Sequence, residues 1–230
     1  EYRECVGINR KTNEIFEAHH DFAAAKTAYV FKTMVDPFIG KYSFVKVCSG
    51  VLKGDDVLYN PESDAEAKIG KIYTLSGNKP VEVQELFAGD IGAIAKLTST
   101  KTGDTLSTKN TPVSYGRTEY SKPYTYMKYV VNNKGDEDKV SQALAKMMAE
   151  DVTLKVVNDS ENRQSLIYGM GDQHLEVTAS KLAERYKVGI RLETPKVAFR
   201  ETIRKNSDVD TKYKKQSGGH GQYGHVKMRF

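Results

Sequence analysis

The spacing of apolar residues changes character once along this chain, and that change constrains the fold more than any single motif. From Thr27 to about Lys109 the apolar runs are short and rich in β-branched and aromatic residues: Tyr29-Val30-Phe31, Tyr42 to Val47, Val57-Leu58-Tyr59, Ile72-Tyr73, Val81-Glu82-Val83 and Ile91 to Leu97. Turn-forming sequences separate them, among them Asp36-Pro37, Lys53-Gly54-Asp55, Ser76-Gly77-Asn78, Ala88-Gly89-Asp90 and Thr102-Gly103-Asp104. Gly and Asn tolerate positive φ, and Asp offers the local hydrogen bonds that tight turns need. This pattern predicts a small antiparallel β-barrel over residues 27–109, since about 80 residues are few for two full sheets and closure removes exposed edges.

After Pro112 and Pro123 the period lengthens. Tyr124 to Val131 reads as a strand, and Asp136 or Asp138 can cap a helix whose apolar residues Val140, Ala143, Leu144 and Met147 recur at helical spacing up to about Glu150. Leu154 to Val157 and Ser165 to Tyr168 form a hairpin around the polar turn 158–162. A second helix starts near Asp172, buries Leu175, Ala179, Leu182 and Tyr186, and ends at Gly189. Ile190 to Leu192 supplies a fourth strand. The order β-α-β-β-α-β predicts a ferredoxin-like α+β domain over 120–203, with both helices on one face of the sheet. Residues 197–204 read as another strand, leading into the first strands of a truncated α+β domain at 204–230. The fold class expected is therefore multidomain β and α+β, with 110–119 as linker.

Composition narrows the function. The chain has 230 residues, enough for two modest domains, and no apolar stretch long enough for a membrane helix. Its two cysteines, Cys5 and Cys48, are too few for a disulfide framework and fit a reducing cytosol. A cytoplasmic location, no membrane partner and a monomer are expected. The sequence opens on Glu1-Tyr2-Arg3-Glu4 and closes on the alternation Val226, Met228, Phe230, which reads as a piece of a longer protein. Net charge is +5, yet residues 196–230 alone hold nine basic against three acidic side chains. Such a segment is attracted to nucleic-acid phosphates; the alternative is an ordinary solvated face.

Several motifs reduce to structural explanations. Asn133-Lys134-Gly135-Asp136 spells the guanine-recognition tetrapeptide of GTPases, but the chain has no GxxxxGK[ST] loop, so a strand end and helix cap explain it better. His19, His20, His174, His220 and His225 do not converge with Cys, Asp or Glu in any metal-ligand spacing. Asp55-Asp56 sits in a turn, and no nucleophile elbow is present. No catalytic, metal or cofactor residue is assigned. The informative segment is Lys214-Lys215-Gln216-Ser217-Gly218-Gly219-His220-Gly221-Gln222-Tyr223-Gly224-His225. Its glycines permit close backbone approach to a partner, and Gln216, Ser217 and Gln222 can bond to sugars or phosphates. A plain hairpin loop is compatible with that reading.

Three blocks resemble the elongation factor G family of translational GTPases. One comprises Asp36-Pro37-Phe38-Ile39-Gly40-Lys41, Ser49 to Lys53 and Ala88-Gly89-Asp90 to Leu106; the second, Gly169 to Glu176 with Pro195 to Thr202; the third, Gln216 to Val226. The resemblance implies that 1–26 is a linker following a GTPase domain outside these residues, that 27–109 is the family's second domain, 120–203 its third, and 204–230 the start of its fourth. It implies a ribosomal translocase that moves tRNA and mRNA during translation elongation. RNA contacts then fall on Gln216, Ser217, Gly218 and Gly219, with Lys214 and Lys215 as phosphate contacts, against ribosomal RNA, tRNA and mRNA at the decoding centre. GTP and Mg would belong to the full-length GTPase, and the 230 residues themselves would be no enzyme. Asp172-Gln173 stands where the family usually has Glu-Leu, and His220 where Arg or Ser is commoner. The alternatives are a paralogous ribosome-associated GTPase of recycling or rescue, and a stand-alone RNA-binding protein that stacks bases on its ferredoxin-like sheet. The last reading needs sheet aromatics in an RNP-like run, and the third-strand candidate Arg163 to Gly169 lacks the expected pair.

Overall fold

The structure, a computed structural model, describes residues 5–36, 40–77, 79–216, 218–219 and 221–230. They form two compact units, Glu1–Pro195 and Lys196–Phe230. No helix is long and apolar enough to cross a membrane.

The first unit begins with β1 (Cys5–Asn9) and β2 (Ile15–Ala18), followed by β3 (Thr27–Asp36), β4 (Gly40–Ser49), β5 (Val51–Lys53), β6 (Val57–Asn60), β7 (Ala65–Lys68), β8 (Ile72–Ser76), β9 (Lys79–Val83), β10 (Glu85–Phe87), β11 (Ile91–Ala95), β12 (Thr105–Ser107) and β13 (Val113–Tyr115). Eight of them make one antiparallel sheet in the order β7-β6-β12-β3-β4-β11-β8-β9, and β5 pairs with β10. A flat sheet of eight strands would be about 34 Å wide at ~4.8 Å per strand. Yet Ala67 of β7, Leu58, Leu106, Val30, Val45, Ile94, Ile72 and, at the far edge, Val83 of β9 all join one apolar cluster with Leu52 and Leu86. Only a sheet rolled around its own inner face can bring both edges to one core, which gives the barrel-like form expected.

The segments read as linkers depart from expectation. Residues 5–18, inside the presumed 1–26 linker, pair as β1 with β2, and β1 pairs in turn with β13, inside the presumed 110–119 linker. The resulting sheet packs Ala18, Val113 and Tyr115 against Cys48 of the barrel. Buried hydrogen bonds hold it in place: Thr27 Oγ1 to Tyr115 Oη at 2.7 Å, and the amides of Tyr115 and Val113 to Thr105 Oγ1 and Ser107 Oγ at 2.9 and 3.2 Å. Arg117 donates to the buried Asp104 carboxylate at 2.5 Å. The partners β1 and β13 lie about a hundred residues apart in sequence, so no local pattern announces them.

The ferredoxin-like part consists of β14 (Thr125–Val131), α1 (Glu137–Glu150), β15 (Lys155–Asp159), β16 (Gln164–Gly169), α2 (Asp172–Tyr186) and β17 (Ile190–Glu193), with sheet order β15-β16-β14-β17. Val140, Ala143, Leu144 and Met147 of α1 and Leu175 and Leu182 of α2 close over Ile167 and Ile190, with Ala179 and Tyr186 at the margin. The stop of α2 is not Gly189: Lys187 takes the left-handed conformation at φ 57° and its amide bonds to Leu182 O. A Cβ at Gly189 would instead fall 2.5 Å from Asn132 Nδ2, so that glycine serves close packing. No strand forms over 197–204; Val197, Phe199 and Ile203 are exposed there.

Barrel and ferredoxin-like part keep separate cores, yet they belong to one compact unit rather than two. Glu150, at the end of α1, accepts the Val35 amide of β3 at 2.7 Å. Arg185 of α2 donates to Val35 O at 2.9 Å and to both Glu150 oxygens at 2.9 and 3.2 Å. The Glu150 carboxylate, through its hydrogen bond and charge, raises the Arg185 guanidinium further above its already high ordinary value. One charged pair thus satisfies both backbone groups of a strand residue across the junction.

Glu150→Ala removes the acceptor of the Val35 amide, so hydrogen exchange at Val35 should accelerate by about tenfold or more while exchange at core amides of β4 and β16 stays unchanged, an opening of at least ~1.4 kcal/mol. Within the first unit, limited digestion with a protease of broad specificity should cut first within 119–122, which is exposed, and spare 113–115, which is buried and paired.

Candidate nucleic-acid interface

The second unit is a β-hairpin of β18 (Asp208–Gln216) and β19 (Gly221–Arg229), in register from Asp208 opposite Arg229 to Gln216 opposite Gly221. Side chains alternate across the two faces of such a ribbon. One face carries Asp208, Asp210, Lys212, Lys214 and Gln216 with their partners Arg229, Lys227, His225, Tyr223 and Gly221. The other carries Val209, Thr211, Tyr213 and Lys215 with Met228, Val226, Gly224 and Gln222.

Charge is graded along the hairpin. Both of its carboxylates lie at the open end, where Asp208 binds Arg229 at 2.6 Å and Asp210 binds Lys227 at 3.1 Å as well as His225. Toward the turn, Lys212, Lys214 and Lys215 have no acidic partner among the described residues. Three cations therefore surround a turn with no carboxylate to neutralise them. Such a surface attracts phosphate, and each phosphate contact releases counterions.

Of the residues expected to touch RNA, Gln216 ends β18 opposite Gly221. Lys214 and Lys215 are exposed beside it but project to opposite faces, Lys214 next to Tyr223 and Lys215 next to Gln222. They therefore cannot grip one phosphate together, and each would meet a different stretch of backbone. Gly218 sits at φ +81°, a left-handed position that a Cβ would penalise by about 1 kcal/mol or more. Gly219 carries no such constraint, and a Cβ at either residue would meet nothing within 4 Å. Ser217 lies outside the described residues, as does His220. Tyr213 and Tyr223, which are not among the residues expected to touch RNA, are exposed beside the lysines. Their alternation with the lysines and glycines is the available signal, since aromatic rings next to cations suit base stacking.

The motifs assigned to structure are accounted for within the first unit. Asp136 occupies the N-cap position of α1, but its carboxylate binds Lys139 Nζ at 3.0 Å and Asn133 Nδ2 at 3.3 Å instead of a helix amide. Lys139 and Asn133 hold the Asp136 carboxyl below the usual carboxylate range. His174 accepts the Met170 amide on Nδ1 at 3.1 Å and lies 3.0 Å from Asp151 Oδ2 through Nε2, which fixes the Nε2–H tautomer. Asp56 pairs with Lys26 at 2.7 Å and accepts the Lys53 amide at 2.8 Å, an ordinary turn role. Among the described residues no group of three or more His, Cys, Asp or Glu could hold a metal ion.

Comparison with known proteins decides the family. Elongation factor G domain 2 matches residues 25–109, elongation factor G domain III matches 121–194, and elongation factor G domain IV matches 195–230. The chain belongs to the elongation factor G family. The fourth-domain match takes in residues 195–203, which the sequence pattern alone assigns to the third. A crystal structure of a protein from Thermus thermophilus is similar at 32% identity and a TM-score of 0.74, over 90% of this chain. The chain spans 31% of that protein's length.

Because the Asp136 carboxylate is already engaged and no phosphate-binding loop accompanies it, residues 1–230 should show no saturable signal on titration with a fluorescent guanine nucleotide. Micromolar binding that Asp136→Ala abolishes would contradict this.

Proposed function

We infer that these residues are the ribosome-contacting part of a translocase similar to elongation factor G, in which GTP hydrolysis belongs to a domain beyond them. What carries this reading is the graded hairpin: within a fourth-domain match, both hairpin carboxylates are paired at the open end, and Lys212, Lys214 and Lys215 stand unneutralised around the glycine-bearing turn. In the intact factor, residues 216–219 approach RNA at the decoding centre of the small subunit. Lys214 and Lys215 hold phosphates on either side, while Gly218 permits backbone approach that a side chain would block. The barrel and the ferredoxin-like part are tied together by Glu150 and Arg185.

The reaction this part serves is movement, not bond cleavage. Its residues bind tRNA and mRNA and hold the factor in register, and the nucleotide chemistry supplies directionality elsewhere. A protein that reads no particular codon has to use the backbone and shape of the RNA, and phosphate contacts from lysine together with amide approach from glycine supply that without sequence preference.

In the full-length protein, Gly218→Val with Gly219→Val should slow tRNA–mRNA movement by about tenfold or more while ribosome-stimulated GTP hydrolysis stays within about twofold, a difference of at least ~1.4 kcal/mol in one barrier only. Lys214→Ala with Lys215→Ala should act on affinity instead, and lower the slope of log K against log salt by about 1 for each phosphate that is no longer neutralised. Unchanged movement in the valine variant would make the turn a plain hairpin; equal loss of both rates would mean misfolding.

A further inference from the structure

The ferredoxin-like sheet has a second face that neither helix covers. Helices α1 and α2 lie over one side, where Met127, Tyr129, Val131, Val156, Ile167 and Leu192 point. By alternation the opposite side receives Tyr126 and Lys128 from β14, Tyr168 and Leu166 from β16, Lys155 from β15, and Arg191 and Glu193 from β17. Strands β14 and β16 are the two central strands, and Tyr126 and Tyr168 are direct cross-strand partners. Their rings stack, with centroids 5.0 Å apart and planes 23° apart, and Tyr126 remains 39% exposed. No single strand carries two such aromatics; pairing supplies one from each of two strands.

Cations flank the pair. Lys155 is the other cross-strand neighbour of Tyr168 and has no ion-pair partner among the described residues. Lys128, two residues along from Tyr126, binds Glu193 at 2.7 Å, and Arg191 binds the same carboxylate at 2.7 Å. Glu193 thus answers two of the three cations, Asp159 at the far end of β15 on the same face accepts from Asn162 and Gln164, and the face keeps net positive charge beside the stacked rings, of which Tyr126 is the more exposed. A polyanion whose monomers carry π-faces complements that combination: phosphates on the lysines, bases on the tyrosines. A four-stranded sheet with aromatic residues on its central strands is a known way to hold single-stranded RNA, and stacking tolerates any base.

We propose that the open face of the ferredoxin-like sheet is a second RNA contact, in which Tyr126 and Tyr168 stack bases of a single-stranded segment and Lys155, with Lys128 and Arg191, holds its phosphates. It is separate from the hairpin turn and argued from different residues, so either contact can fail without the other.

The chain contains no tryptophan, so Tyr168→Trp gives a fluorophore that reports this face alone. The 230-residue chain carrying it is titrated with an oligouridylate of about eight nucleotides, within the usual span of such sites. Indole fluorescence should be quenched saturably, Tyr126→Ala should weaken the midpoint by about tenfold, and Tyr126→Phe should restore it, which separates stacking from misfolding. Lys155→Glu should weaken binding and flatten its salt dependence, and Lys214→Ala with Lys215→Ala should leave the indole isotherm in place. Absence of quenching while polarisation of a labelled oligonucleotide reports binding abolished by Lys214→Ala with Lys215→Ala would overturn this proposal and leave the hairpin reading intact. Equal quenching by a duplex of the same length would also overturn it, since paired bases offer no free faces. So would shielding of the indole from acrylamide in the longer protein without RNA, which would mean that another part of that protein covers the face.

Discussion

Strict alternation of side chains across antiparallel strands is the constraint on which the functional surfaces rest. A strand cannot move one residue to the other face without moving all of them, so register alone decides what stands together. In the hairpin of 208–229 the register puts Asp208 opposite Arg229 and Asp210 opposite Lys227, and this consumes the acidic residues far from the turn. A slip of one residue would turn Arg229 and Lys227 to the face away from Asp208 and Asp210 and leave those carboxylates without their cations. The order along β18 sets where the charges lie, and the register decides which of them are neutralised.

The same rule, applied to a sheet with one covered side, produces the aromatic face. Ile167 and Met127 are drawn to the helices by burial of their apolar surface. Their neighbours Tyr168 and Tyr126 must then face outward, whether or not a solvated position suits a tyrosine. Two such rings on adjacent strands stack against each other, and the lysines beside them keep the surface soluble. The proposed second contact uses the side of the sheet that folding does not need.

How far the sequence reveals all this depends on the distance over which each feature is specified. Turn chemistry at Lys53-Gly54-Asp55 or Ala88-Gly89-Asp90 is local, and the barrel strands between such turns are legible; so are α1, from Val140 to Met147, and the order of the ferredoxin-like elements. The hairpin β1–β2 is not, because its stability comes from β13, about a hundred residues away, and because Val6, Ile8 and Ile15 turn outward and blur the alternation. The alternation of Val197, Phe199 and Ile203 misleads for the opposite reason: a strand-like pattern without a partner to pair with among the described residues. Glu150 and Arg185 give no signal at all, since a charged pair on two helices reads as surface until Val35 is brought beside it. At the site, Gly218 and the lysines are legible as types, but only register shows that Lys214 and Lys215 face apart.

The central claim is that the end of the hairpin is the part of this factor that meets RNA in the small subunit. It is tested most directly by placing a source of hydroxyl radicals there. Gly219 has an unconstrained backbone and open space around its Cα, so Gly219→Cys in the full-length protein can carry an iron chelate without disturbing the turn. Bound to ribosomes and activated, it should cleave ribosomal RNA at the decoding centre and nowhere else with comparable strength, beyond the background from a parent protein lacking Gly219→Cys. Cleavage confined to the large subunit, or none above that background while the factor remains bound, would contradict the account.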